Sequence, residues 1–294
     1  MRSRIGPSLE RAKSGCAHVL FWAWPWSWGH EHLMDMLNPS PPAGLVTRTL
    51  RGFPLRLTFD SGSYVGRFLY YRRMYEEGTI QFLRRVLVPG MSFLDVGANL
   101  GLHTTVAASL VGPSGRVIAV EPQADLCDLV RLNVTQNGLS NVSVIHAALG
   151  RQNGTAELHH VHAGNPAAAA LRLQLGEQSL SSSPVPLRTL ADVLGEAGLE
   201  SSDLVVKIDV EGAELEVLEG AADCFDLRPP SIMFVECNDH HLRRFGASSL
   251  DLLGKLAALG YRVSSLRRGR RFDHAPSAPV NADVIAWRPE RCPW

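Results

Sequence analysis

The stretch FLDVGANLG, residues 93–101, decides the fold. Apolar residues run into Asp95, and Gly97 and Gly101 follow, four positions apart. In an open parallel sheet, ligands sit at the carboxyl ends of the strands, where strand order reverses. A strand that stops at Asp95-Val96-Gly97 makes GANLG the turn into a helix. Glycine there lets the chain turn tightly and lets backbone N–H groups approach a ligand.

Outward from this turn the chain alternates strand and helix. Strand-like runs occupy 92–98, 116–122, 142–149, 203–210, 231–237, 261–266 and 282–287. Helix-like runs occupy 100–111, 124–137, 211–225 and 248–259, with another near 76–88 closed by Pro89-Gly90. Several strands are apolar without alternation, as strands covered on both faces must be. The expectation is an α/β, Rossmann-like doubly wound sheet of about seven strands, plus an N-terminal extension. The last two runs are separated by a polar loop carrying RRGRR, 267–271, and no helix. They are expected to pair antiparallel, so that the last strand is antiparallel and lies at the sheet edge. Ahead of the main pattern, RTLRGFPLRLTF (48–59) reads as one or two short strands. Between 150 and 187 the rhythm lapses. TAELHHV reads as a strand, and the remainder reads as an irregular insertion of the kind that forms a lid or substrate loop.

The 294-residue chain carries 29 basic and 29 acidic residues, so its charge makes no case for nucleic acid or an anionic membrane as partner. Five cysteines lie scattered with no C-x-x-C spacing, which speaks against a zinc site or disulfide framework and fits the reducing cytoplasm. No apolar run reaches the roughly 20 residues of a membrane span. HVLFWAWPWSW, 18–28, follows several basic residues like a signal peptide but lacks a small-residue cleavage site. It reads as an arm, with membrane-surface contact through its tryptophans as the alternative.

The ligand follows from the acids. A dinucleotide favours G-x-G-x-x-G around its pyrophosphate, and a carboxylate would be repelled there. Asp95 ahead of D-x-G-x-x-x-G instead suits a ligand with an ammonium group or hydroxyls. S-adenosylmethionine carries both. The second strand ends RVIAVEP, which places Glu121 and Pro122 at its edge, where an acid can accept from both ribose hydroxyls. NAD enzymes use an acid in the same place, so a nicotinamide-dependent oxidoreductase remains the rival. Read structurally, Asp95 is a turn residue and Glu121 a strand end. In HAALG, small residues such as Ala147 leave room for the flat adenine.

The fourth strand runs into VVKIDVEGAELEVLEGA. Glu214 reads as a first-turn helix acid. Lys207, inside an apolar strand, needs a partner. It shares a face with Asp209, two residues on. Asp209 is the first choice of general base for a hydroxyl nucleophile, and His240 or His241 in ECNDHH the second. The bland reading of the histidine pair is a surface loop. Glu236 reads as a substrate ligand or a partner for Lys207. Asp209, Glu236, Asn238 and Asp239 are oxygen donors without a decisive metal spacing, and no metal is assigned.

FLDVGANLG, VIAVEP, VVKIDVEGAELEVLEGA and SIMFVE together resemble the FkbM-type S-adenosylmethionine-dependent methyltransferases, from about Tyr75-Glu76 to the C-terminus. The resemblance implies a class I methyltransferase fold with an antiparallel last strand. It implies O-methylation of a hydroxyl on a sugar, polyketide or related small molecule. By similarity, Asp95, Gly97, Asn99 and Gly101 line the methionine end, Glu121 takes the ribose, and Glu76 helps close the cofactor site. On this reading 1–45 is a Trp-rich arm and linker, 46–90 a strand and helix cap, and 91–290 the methyltransferase domain. A non-catalytic binding protein on the same fold is the alternative of a different class. Nucleic-acid methylation lacks an N-P-P-Y-like motif after the fourth strand.

Overall fold

The computed structural model describes residues 41–160, 169–173, 178–199, 204–221, 224–225, 229–267, 270–274, 280, 282–291 and 293. The Trp-rich stretch 18–28 lies outside the described residues, as do Cys16, Cys292 and the centre of RRGRR. Two compact units divide at Thr79 and Ile80. Among the described residues no helix is long and apolar enough to cross a membrane.

In the N-terminal unit, β1 (Leu45–Thr49) pairs antiparallel with β2 (Arg56–Asp60), and the Thr47 and Thr58 hydroxyls meet across the pair at 2.7 Å. RTLRGFPLRLTF thus contributes to two strands. Helix α1 (Tyr64–Arg72) follows, started by the Ser63 side chain, which accepts the Gly66 N–H at 3.0 Å. Its Phe68 packs with Tyr64 and Tyr75 in an aromatic cluster. Helix α2 (Glu77–Val86) begins at the unit boundary.

The second unit holds β3 (Ser92–Val96), α3 (Leu102–Val111), β4 (Arg116–Glu121), α4 (Ala124–Gln136) and β5 (Val142–His146). After them come β6 (Ala148–Leu149), β7 (Gly154–His160), β8 (Ala169–Ala170), β9 (Ser181–Arg188) and α5 (Leu190–Ala197). The chain continues through β10 (Leu204–Ile208), α6 (Glu214–Glu219), β11 (Ile232–Val235), α7 (Asp239–Leu242) and α8 (Ser249–Ala258). It closes with β12 (Arg262–Arg267), β13 (Arg270–His274) and β14 (Val284–Trp287). The main sheet has the order β13-β12-β14-β11-β10-β3-β4-β5. Strands β5, β4, β3, β10 and β11 are parallel, and β14 is antiparallel to both neighbours. This is a doubly wound sheet whose last strand in the chain runs antiparallel to its neighbours, the topology that the resemblance implied.

Alternate residues of each inner strand feed opposite layers. Leu94, Val96, Val206, Ile208, Met233 and Val235 pack with Leu190 of α5, Val217 of α6 and Leu252 and Leu256 of α8. Phe93, Val117, Val205, Ile232 and Phe234 pack with Phe82 and Leu83 of α2 and with Ala107 and Val111 of α3. Asp95 and Lys207 continue the second series, so both side chains point to the α3 side. Burying each such large apolar side chain is worth about 1.5–3 kcal/mol. Helix α8 opens with a reciprocal capping box between Ser248 and Asp251.

Four sequence expectations change. First, the antiparallel last strand is interior, between β11 and β12, because Val284, Ile285, Ala286 and Trp287 are buried on both faces. The rim is β13, formed from the segment read as a loop. Second, the 142–149 run breaks at Ala147, with β5 in the main sheet and β6 in a second one. Third, TAELHHV contributes to β7 as expected, but β8 and β9, in the stretch expected to be irregular, join it and β6 in a second sheet of order β6-β9-β7-β8. Residues 161–168 and 174–177 lie outside the description. Fourth, the helix expected from 211 starts at Glu214, because Glu211 (φ 57°) and Gly212 (φ 112°) make a left-handed turn first.

Candidate functional site

The strand order reverses beside β3, whose neighbours are β4 on one side and β10 on the other, so the crevice outside β3 and β10 is the expected ligand position. The ends of these strands touch. Gly97 has φ 80°, and a Cβ built on it would lie 1.8 Å from the Asp209 carbonyl oxygen. The Asp209 N–H donates to Val96 O at 3.0 Å. What comes so close to the first glycine is therefore the chain's own backbone. Asn99, the next left-handed residue at φ 52°, accepts the Leu100 N–H on its own side-chain oxygen at 2.7 Å.

A buried charge cluster lies under this contact. Lys207 stands opposite Asp95 in the β10–β3 register, with Nζ 3.9 Å from Asp95 Oδ1 and 2.9 Å from Asp209 Oδ2. Thr104 of α3 donates its hydroxyl to Asp95 Oδ2 at 2.6 Å. Asp95 is fully buried, and its Oδ1 has no hydrogen-bond partner. Burial raises the Asp95 pKa, and the Lys207 charge and the Thr104 hydroxyl pull it back. His103, beside Thr104, is held well below its ordinary pKa, first by burial and then by the Lys207 charge, so it is neutral. Neither Thr104 nor His103 is legible in FLDVGANLG. The signal was spacing, since the first turn of α3 returns over the end of β3.

Glu121 closes the second strand end. Its Oε2 accepts the Asn99 N–H at 2.8 Å and its Oε1 the Gln123 N–H at 3.0 Å. It is buried, and desolvation pushes its pKa up to about 7 against the pull of those two amides. Each oxygen keeps lone-pair capacity beyond one amide. Pro122 O lies 2.9 Å from His146 Nε2, and the buried Ala147 donates its N–H to Glu121 O at 3.2 Å. Gly101 caps α3 at φ 85°. Asp95, Gly97, Asn99, Gly101, Glu121, Pro122, Ala147 and Asp209 thus belong to adjoining strand ends of one sheet. Glu76 belongs to the N-terminal unit, at a left-handed position (φ 47°) before α2.

Beyond β11 lies a second group of charges. His241 Nδ1 is 3.1 Å from Glu236 Oε2 and 3.1 Å from Glu211 Oε2. The Glu236 hydrogen bond raises the His241 pKa, burial opposes it, and the Glu211 charge adds to the rise. His240 is exposed, with its backbone N–H on Asn238 Oδ1 at 3.0 Å. Asp239 accepts the Ser249 N–H at 2.6 Å. Glu214, expected to serve as a helix acid, accepts the Val210 and Gly212 N–H groups on Oε1 at 3.0 and 3.1 Å and so fixes the left-handed turn. Burial, then the Glu236 charge, push its pKa up to about 8.

Comparison with known proteins bears on this geometry. A family model described as Methyltransferase FkbM domain matches residues 95–263, more than half of the chain. Among curated relatives, the protein-L-isoaspartate O-methyltransferase of Methanococcoides burtonii is 40% identical over 20% of this chain and 30% of its own. The AMB antimetabolite synthetase AmbE of Pseudomonas aeruginosa is 29% identical over 81% of this chain and 12% of its own. The methyltransferase sdnD of Sordaria araneosa is 30% identical over 45% of this chain and 61% of its own. The chain spans less than two thirds of the length of each of these relatives. Of solved structures, the precorrin-6y C5,15-methyltransferase of Geobacter metallireducens aligns with a TM-score of 0.42 at 15% identity, over 73% of this chain and 89% of its own. The O-methyltransferase TM0748 of Thermotoga maritima aligns with a TM-score of 0.41 at 14% identity, over 87% and 81%. On the family match, the chain belongs to the FkbM family of S-adenosylmethionine-dependent methyltransferases.

Proposed function

We propose that this protein transfers the methyl group of S-adenosylmethionine to a hydroxyl on a small-molecule acceptor such as a sugar or polyketide. The observation that carries the reading is the junction of two strand ends. Asn99 N–H bonds Glu121, and Asp95 and Asp209 lie on the other side of the same turn around Lys207. In this reading the turn 97–101 takes the methionine end of the donor, and Glu121 accepts from the ribose diol. Asp95, fully buried, supports that turn from beneath through Lys207 and Thr104, in place of the direct contact the resemblance implied. Small residues at Ala147 leave space for the adenine. Methyl transfer from a sulfonium is an in-line displacement in which the donor supplies the reactivity, so the protein's part is to position and desolvate.

The base assignment follows the exposed oxygen. Asp209 is about a third exposed, gives Oδ2 to Lys207 and keeps Oδ1 for the acceptor's proton. Holding one oxygen on a buried cation fixes the orientation of the other. His240 is the second choice. The oxygen-methylating relative from Methanococcoides and the sdnD methyltransferase support the reaction class but not the acceptor.

The test is calorimetry of the full chain with S-adenosylmethionine, S-adenosylhomocysteine and NADH. Uptake of the first two and not the third is expected. NADH uptake without S-adenosylmethionine uptake would restore the oxidoreductase reading. A screen of cell extract for products heavier by one CH₂ then finds the acceptor, and Asp209→Asn is expected to keep donor binding while losing turnover. Donor uptake with no product from any extract would favour the non-catalytic reading.

A further inference from the structure

We propose that Glu211, Glu236 and His241 bind one divalent cation of the Mn²⁺ or Mg²⁺ class. Their donor atoms all lie within 4.8 Å of one another, and two of the three separations are 3.1 Å. Neighbouring ligands on an octahedral ion held at about 2.1 Å lie roughly 3 Å apart, which is this spacing. Two carboxylate oxygens with one imidazole nitrogen suit an oxygen-preferring ion that tolerates nitrogen, with Mn²⁺ ahead of Mg²⁺.

The three ligands come from segments that are fixed before any ion arrives. Glu211 sits in the left-handed turn that Glu214 Oε1 pins through two amides. Gly212 lies so close to the chain end of α7 that a Cβ on it would be 2.2 Å from His241 O. The turn bearing one ligand is thus set against the backbone of another. Glu236 follows β11, and its N–H donates to Ile208 O at 2.9 Å.

A second observation points to a missing positive charge. Glu214 Oε2 is buried without a hydrogen-bond partner, and the strongest charge acting on this carboxyl is that of Glu236. Glu211 and Glu236 meet at one imidazole, and Glu214 adds a carboxyl on the far side of the turn that bears Glu211. Arg244 is the basic side chain whose charge also reaches Glu211 and His241. An ion held by three protein atoms keeps open positions for oxygen atoms of an acceptor. That role rests on the proposed hydroxyl acceptor, whereas the binding does not.

The experiment titrates MnCl₂ into chelator-treated, desalted full-length protein and follows free Mn²⁺ by electron paramagnetic resonance. S-adenosylmethionine binding is measured on the same samples. Saturable uptake of one Mn²⁺ per chain is expected, displaced by excess MgCl₂. Glu236→Gln and His241→Ala should each weaken it at least tenfold with donor binding unchanged, while Glu157→Gln, in the second sheet, should leave it intact. Absence of saturable uptake in donor-binding protein would overturn the proposal. So would uptake that survives both Glu236→Gln and His241→Ala. Loss of donor binding with Mn²⁺ uptake retained would count against the methyltransferase reading alone.

Discussion

Two charged clusters lie a few residues apart in sequence and are built for opposite circumstances. Around Lys207 only Asp209, about a third exposed, reaches solvent: Asp95 is fully buried, Lys207 nearly so, and Thr104 donates to Asp95 from α3. Around His241, Glu211 is half exposed, and Glu236 and His241 keep about a fifth of their side chains in solvent. The first cluster arises because β3 and β10 present paired residues to one face, so charge inside it must be answered within the sheet. The second arises from turns that leave the sheet, where water shares the burden. Buried ion pairs are costly to break from one side, whereas exposed pairs are nearly free.

The largest test of that contrast is Lys207→Met. It strands Asp95 without its cation and is expected to cost about 3–5 kcal/mol in urea unfolding. Adding Asp95→Asn should return most of the loss, and the double-mutant cycle measures the coupling. A cost under about 1 kcal/mol would erase the distinction between the clusters.

Glu121 gives the next effect, through pH. Its pKa is about 7 in the fold against an ordinary 4.5. The folded state therefore binds more protons than the unfolded one between these values, and stability falls as pH rises from about 4.5 to 7. The gap is worth on the order of 3 kcal/mol, and Glu214, pushed to about 8, extends the same slope upward. Glu121→Gln should flatten the decline of unfolding free energy between pH 5 and 7. A slope unchanged by that substitution would mean that Glu121 is not desolvated in solution.

The smallest effect is expected at the outer cluster. Glu236→Gln should change stability by no more than about 1 kcal/mol, read by the same urea titration in chelator-treated protein. A loss comparable to that of Lys207→Met would show that the outer cluster is as internal as the inner one.

Much of the inner region was legible in the sequence. The doubly covered strands announce themselves by unbroken apolar runs, and the two-residue period puts Lys207 and Asp209 on one face. The Asp95 partner follows only once β3 and β10 are known to be neighbours in register. The outer cluster was harder to read. Glu211-Gly212 looks like a helix start with a favourable acid, and nothing local says that the turn is left-handed. Likewise SSSPVPLR reads as loop because proline interrupts ladders, yet it forms β9. Pro184 and Pro186 face β7 alone, because β6 pairs only with Leu187 and Arg188. At those two positions the strand is locally an edge, where proline is tolerated. Helix α1 was missed although Val65, Phe68 and Leu69 stand at helical spacing, a stripe too short to stand out among three tyrosines and a glycine.

The close approach of the Asp209 carbonyl to Gly97 has a bearing on how saturation mutagenesis of this enzyme should be interpreted. Even alanine there would drive a methyl into the Asp209 carbonyl, so every substitution at 97 should be depleted in a selection for folded protein, with or without donor present. Intolerance at this codon would then report the meeting of two chain segments. Sensitivity that appears only under selection for turnover, at Asp209 or Asn99, would be the mark of chemistry.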